Sequence, residues 1–181
     1  SYLTITDRSE GFYKEKGSKF ISIAFPVQNL EEVKVRLEEL RKQYYDARHH
    51  CYAYIIGRDE EFLRANDDGE PNNSAGQPIL GQIRSKELMN VLVVVVRYFG
   101  GTKLGVGGLM TAYKTATADA LENATIEERF FTETHTIHFE YATTNEVMRI
   151  VKEFDLPVIS QQFELSCQMT LEIKESLLPQ V

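Results

Sequence analysis

An α+β protein in two parts is predicted from three stretches of the sequence. The first is "VLVVVV" at 91–96, an apolar run without alternation that calls for a strand covered on both faces. The second is "NLEEVKVRLEELRKQYY" at 29–45, where Leu30, Val33, Leu37, Leu40 and Tyr44 recur at helical steps of three and four. The third is the segment from 127 onward, which reads strand, helix, strand, strand. With 181 residues the chain can bury a sizeable core. Domains are expected at 1–126 and 127–181, the boundary being marked by a shift in charge. Four basic residues face ten acidic ones after 126, so the tail carries six of the seven net negative charges.

Each element has a local reason. "GFYKEKG" at 11–17 and "SKFISIAFPV" at 18–27 read as hairpin arms, with stiff and aromatic residues in the second and Pro26 ending its ladder. The helix over 29–45 is expected to be capped by Asn29, answered by Glu32 as in a capping box. "RHHCYAYIIG" at 48–57 is the next strand, ended by Gly57, and 58–78 is expected to be a long polar loop. A short helix over 79–89 opens behind Pro78, the strand at 90–99 follows, and a helix is expected over 108–124. In the tail, strands are expected in "TETHTIHFEY", "PVISQQFE" and "CQMTLEIK", with the helix "TNEVMRIVKEF" after the first. That order is three quarters of a ferredoxin-like split βαβ, lacking its last helix and strand.

Composition narrows the function. The longest apolar run is too short for a bilayer, and no secretory leader pattern opens the sequence, so a cytoplasmic protein away from membranes is expected. Cys51 and Cys167 follow no metal-ligand spacing and read as buried, reduced thiols. No metal or cofactor is expected. His49 and His50 point to opposite faces of a strand, as do His135 and His138, and "NDDGEP" lacks the spaced acids of a calcium loop.

Two chemistries remain. Ser74, with His50 as base and Asp67 or Asp68 as orienter, would suit a hydrolytic enzyme, or Ser74 simply caps the following helix. A pocket joining His49 or His50 with Asp67 or Asp68 is the wider small-molecule or hydrolytic enzyme reading. "RYFGGTKLGVGG" at 97–108 offers a strand-to-helix turn of glycines to an anion, flanked by Arg97 and Lys103. It matches neither the Walker pattern nor the dinucleotide fingerprint, and close packing at a tight junction is the alternative reading.

Taken together, "DARHHCYAY", "DDGEPNNSAGQPIL" and "VVVVRYFGGTKLGVGGLMTAY" resemble the IMPACT/YigZ family. The resemblance implies a first domain like the ribosomal-protein and GHMP-kinase α/β sandwich folds, and a second like the last domain of elongation factor G. It marks Arg48, His49, Cys51, Asp67, Asp68, Gly69, Glu70, Pro71, Ala75, Gly76, Pro78, Arg97, Tyr98 and Tyr113. In the turn it marks Gly100, Gly101, Leu104, Gly105, Gly107 and Gly108. The family's eukaryotic members regulate translation initiation. The implied function is therefore binding and regulation, with RNA, the ribosome or a regulatory protein as partner. Arg48, Arg97 and Lys103 are expected to form the anion surface with the glycines. The kinase phosphate loop is absent, which argues against kinase activity.

Overall fold

A computed structural model describes residues 1–179 of the chain. It divides into two units, Tyr2–Glu128 and the part from Arg129 onward, the division falling at the last residue of a strand that otherwise belongs to the first. In chain order the first unit contains β1 (Tyr2–Ile5), β2 (Ser9–Glu15), β3 (Ser18–Pro26), α1 (Leu30–Gln43), β4 (His49–Ile56), β5 (Phe62–Asn66), α2 (Gly76–Ser85), β6 (Val91–Tyr98), α3 (Gly105–Glu122) and β7 (Ile126–Arg129). Five strands form one sheet in the order β2-β3-β6-β4-β5, and every pairing in it is antiparallel. β1 and β7 pair separately.

β6 runs through the middle of that sheet, which explains its composition. Val91, Val93 and Val95 enter the core under α2 and α3, while Leu92, Val94 and Val96 enter the core under α1. Alternate side chains are thus buried on opposite faces, so an apolar residue is needed at every position. The stripe of α1 is laid down as expected by Val33, Leu37 and Leu40, although Leu30 at its start is exposed. The Asn29 side chain accepts from the Glu32 N–H, and the Glu32 carboxylate reaches back to the N–H of Gln28 rather than Asn29. Lys16 and Gly17, both left-handed, make the two-residue turn between β2 and β3.

Three expectations are corrected. The segment 58–78 is not one loop: Phe62–Asn66 is a strand paired with β4, and Asp59 and Glu60 turn the chain with positive φ. At the sheet edge β5 is too short and too exposed to show alternation. α2 begins at Gly76, two residues ahead of Pro78, and α3 begins at Gly105 rather than 108.

The second unit contains β8 (Thr132–Glu140), α4 (Thr144–Glu153), β9 (Val158–Gln162) and β10 (Ser166–Lys174), with strand order β8-β10-β9. β10 is antiparallel to both neighbours. Val151 of α4, Leu156, Met169, Leu171 and Ile173 form its small core. Gln180 and Val181 lie outside the described residues. No helix among the described residues is long and apolar enough to cross a membrane.

Close approach of α3 to the sheet depends on Gly11, where a Cβ would run into the Ala120 amide, the Ser22 hydroxyl and the Ala116 carbonyl. Those atoms are fixed, since Ser22 and Ser9 donate to the carbonyls of Ala116 and Ala120. Gly11→Ala is therefore expected to cost about 1–3 kcal/mol of stability, read from urea unfolding. A change at Gly81, whose missing Cβ meets nothing within 4 Å, carries no such clash and serves as the control.

Candidate functional site

Strand periodicity assembles the site. Arg97 on β6 faces His49 on β4 and Phe20 on β3 across the ladders, and the residues two places along, Val95 and Cys51, face each other as well. Ser18, Phe20, His49, Cys51 and Arg97 therefore share the face that α3 covers. A guanidinium buried there needs a partner, and Glu70 supplies it from the loop before α2. Arg97 Nη1 lies 2.8 and 2.9 Å from the two Glu70 carboxylate oxygens. Both side chains are almost wholly buried, at 5% and 4% exposure.

The remaining contacts fill the lone pairs of Glu70. Tyr113 of α3 donates its hydroxyl at 2.6 Å, and His49 Nε2 lies 3.1 Å away. The other imidazole nitrogen, Nδ1, lies 2.7 Å from the Asp68 carbonyl. Arg97 Nη2 donates to Ser18 Oγ, which also accepts the Gly100 N–H. The guanidinium carbon sits 5.5 Å from the ring centres of both Phe20 and Phe99. Among the described residues Arg97 Nε finds no hydrogen-bond partner.

The loop that carries Glu70 is held from within. The Asp67 carboxylate accepts the N–H groups of Asn73, Ala75 and Gly76, and so caps the start of α2. Asp68 accepts the His50 N–H at 2.7 Å and bends the chain with φ 37°. Gly76 is required because a Cβ there would strike the backbone of Asn66 and Ala65.

These roles dismantle the hydrolytic constellation. Ser74 is fully buried and donates to the Pro71 carbonyl, neither meeting a histidine nor capping α2. His50 Nε2 is engaged with the Tyr44 carbonyl on the opposite face from His49. Burial pushes the Cys51 thiol far above its ordinary 9.0, the Tyr113 contact opposing this and nearby Glu70 and Asp68 adding to it. Burial thus disfavours the thiolate that a nucleophilic cysteine needs. No group of three or more His, Cys, Asp or Glu placed to hold a metal ion occurs among the described residues.

The expected anion residues divide. Arg97 is inside, its charge met by Glu70, whereas Arg48 and Lys103 are exposed. Arg48 lies 4.8 Å over the Phe99 ring, at the entrance to the glycine turn. Gly100 packs its backbone on Gly17 so closely that a Cβ would collide, which brings the Lys16–Gly17 turn against it. Tyr98 donates to Asp46 on the other face of the sheet. Ser18 and Phe20 were not legible as site residues, because only the strand register places them beside Arg97.

The family model for the Impact N-terminal domain matches residues 16–121. Over 129 residues the chain is 37% identical to IMPACT family member YvyE of Bacillus subtilis, covering 71% of this chain and 59% of YvyE. It is 33% identical to IMPACT family member YigZ of Escherichia coli, over 82% of this chain and 74% of YigZ. The chain belongs to the IMPACT family. A crystal structure of a hypothetical protein, 28% identical, superposes with a TM-score of 0.77 over 99% of this chain and 88% of its own. The three sequence blocks that carry the IMPACT resemblance are those that meet at the Arg97–Glu70 pair.

Two outcomes follow for this IMPACT chain. Glu70→Gln leaves Arg97 buried without its counter-charge and is expected to cost about 3–5 kcal/mol. The double variant Glu70→Leu/Arg97→Met should lose much less than the sum of its single changes in a denaturation cycle. The second outcome concerns alkali. Tyr98 is pushed up from 10.0 to about 12, first by burial and then by Asp46. The hydroxyl of Tyr113 is raised likewise, by burial first. The folded chain keeps these protons after the unfolded chain releases them, so stability holds below pH 9.0, where Cys51 begins to count, and falls as pH rises to about 12. Urea midpoints against pH should show the fall, and Tyr98→Phe should reduce its slope above pH 10.0.

Proposed function

We propose that this protein is a non-enzymatic regulator linked to translation, which docks on phosphate-bearing RNA, ribosomal RNA included, at the glycine turn. One observation carries the reading: α3 starts without a side-chain cap or an acid in its first turn, at a cavity of about 280 Å³. Lys16, Gly107 and Gly108 line that cavity together with Tyr13, Glu15, Leu104 and Thr111. The first N–H groups of an α-helix have no partner within the helix and suit an oxyanion, and Lys16, Lys103 and Arg48 supply exposed charge nearby in the chain or at the turn's entrance. Gly107 has nothing within 4 Å of its missing Cβ, so packing does not account for it, whereas a phosphate close to the backbone would.

The link to translation rests on the family, whose eukaryotic members regulate initiation. The sandwich of the first unit suits the ribosomal-protein and GHMP-kinase-like folds that the resemblance implies. We further infer that 127–181 is a partial ferredoxin-like domain: in the order β8-β10-β9 the third strand separates two strands joined through α4, as in a split βαβ. On this reading the domains are 1–126 and 127–181.

Binding of purified ribosomes or an RNA oligomer is the test. Affinity should fall steeply between low and moderate salt, and Lys16→Ala/Lys103→Ala should lower the slope of log K against log salt by about 1–2. No binding at low salt, or an unchanged slope in the variant, rejects the reading.

A further inference from the structure

The two edges of the five-stranded sheet are treated differently. At β2 the chain's own side chains occupy the backbone: Asp119 of α3 accepts the Phe12 N–H, and Asn123 donates to the Glu10 carbonyl. Among the described residues no strand lies outside β5, and no side chain bonds to the backbone of 62–65. That edge also exposes large apolar groups, with Phe62 and Leu63 at 42% and 41% exposure.

Beside the open edge lies a groove of about 360 Å³ between α1 and the sheet. Leu30, Val33 and Leu37 form its apolar side, with Tyr52 and Tyr54, whose rings stack 6.4 Å apart, beneath them. Lys34 and Arg41 rim it from α1, and Arg64 of β5 lies over the Tyr52 ring at 5.7 Å. None of these three cations forms an ion pair among the described residues, and Glu38 is the one acid in the lining. On a chain of net charge −7 this is a locally basic, half-apolar slot alongside an unpaired strand.

We propose that this groove receives an extended acidic segment of a partner protein, which adds to β5 as a sixth strand. Unpaired N–H and C=O groups at strand spacing are what a peptide backbone satisfies and a nucleic acid does not. Register decides the pattern of the segment. Arg64 pairs with Tyr54 and Phe62 with Ile56, so both sit on the α1 face, while Leu63 and Ala65 sit on the other. An incoming strand would therefore present acidic side chains at alternate positions toward Arg64, Lys34 and Arg41, and apolar ones between them toward Leu63. A second copy of this chain fits poorly, since antiparallel pairing about the middle of β5 would set Arg64 against Arg64.

The groove shares no lining residue with the cavity at α3, so this proposal and the RNA reading can fail separately. The probe is a fluorescein-labelled peptide of about ten residues, alternating Glu with Val, read by anisotropy on the full chain. Binding should slow exchange of the amides in 62–66, be lost when alternate peptide amides are N-methylated, and weaken about tenfold or more in Lys34→Glu/Arg41→Glu. Both changes lie on the exposed side of α1. Arg64→Gln gives a second variant with the same expected direction if the first loses its far-UV signal. Equal binding by folded variants, no protection in 62–66, or indifference to N-methylation overturns the proposal. So do displacement of the peptide by oligouridylate and concentration-dependent self-association through β5 in place of peptide binding.

Discussion

One end of the five-stranded sheet is arranged around a single buried guanidinium. Arg97 lies one residue from the end of the central strand, on the face that α3 covers, where a charge is costly unless paired and hydrogen-bonded. Its partner cannot come from the sheet, whose neighbouring positions hold Phe20 and His49, so it comes from the loop after β5. That loop must then be ordered. Asp67 orders it by capping α2, Asp68 by tying it to β4, and Gly69 by turning it with φ 87° so that Glu70 points inward. A loop of hydrophilic residues becomes as fixed as a strand because one carboxylate on it has a single place to go.

The same pair bears on the glycine turn. Ser18 accepts from both Arg97 and the Gly100 N–H, so the turn starts from a position set by the buried network. Gly100 then has no room for a side chain against Gly17, while Gly101 and Gly105 hold positive φ. These demands come from the fold. Gly107 meets no such demand, and the difference separates the part of the turn made for packing from the part left facing the cavity.

Legibility in the sequence followed burial. β6 announced itself because two cores claim alternate side chains of one strand, and α1 because one core claims a stripe. β5 left no mark: five residues at an edge, mostly exposed, need no pattern. The starts of α2 and α3 were misplaced for a related reason, since neither has a Ser, Thr, Asp or Asn at its N-cap, and the cap of α2 arrives from Asp67, outside the helix. In the site, the residue types were visible and their roles were not. Arg97 read as an anion ligand because its partner lies 27 residues away, and Ser74 read as a nucleophile because burial cannot be seen from one residue.

Such a pair is a weak source of net stability, because desolvating two charges offsets most of their attraction. What it supplies is uniqueness. An apolar residue at 97 could pack against Phe20 in several ways, whereas a guanidinium must find Glu70, Ser18 and two aromatic faces together. Satisfying them fixes the loop, the turn and the register of β3, β6 and β4 at one end of the sheet. At that end, the exposed cations of the glycine turn inherit a rigid frame. The pair is therefore better understood as the device that holds the loop and the glycine turn in shape than as an exposed anion ligand.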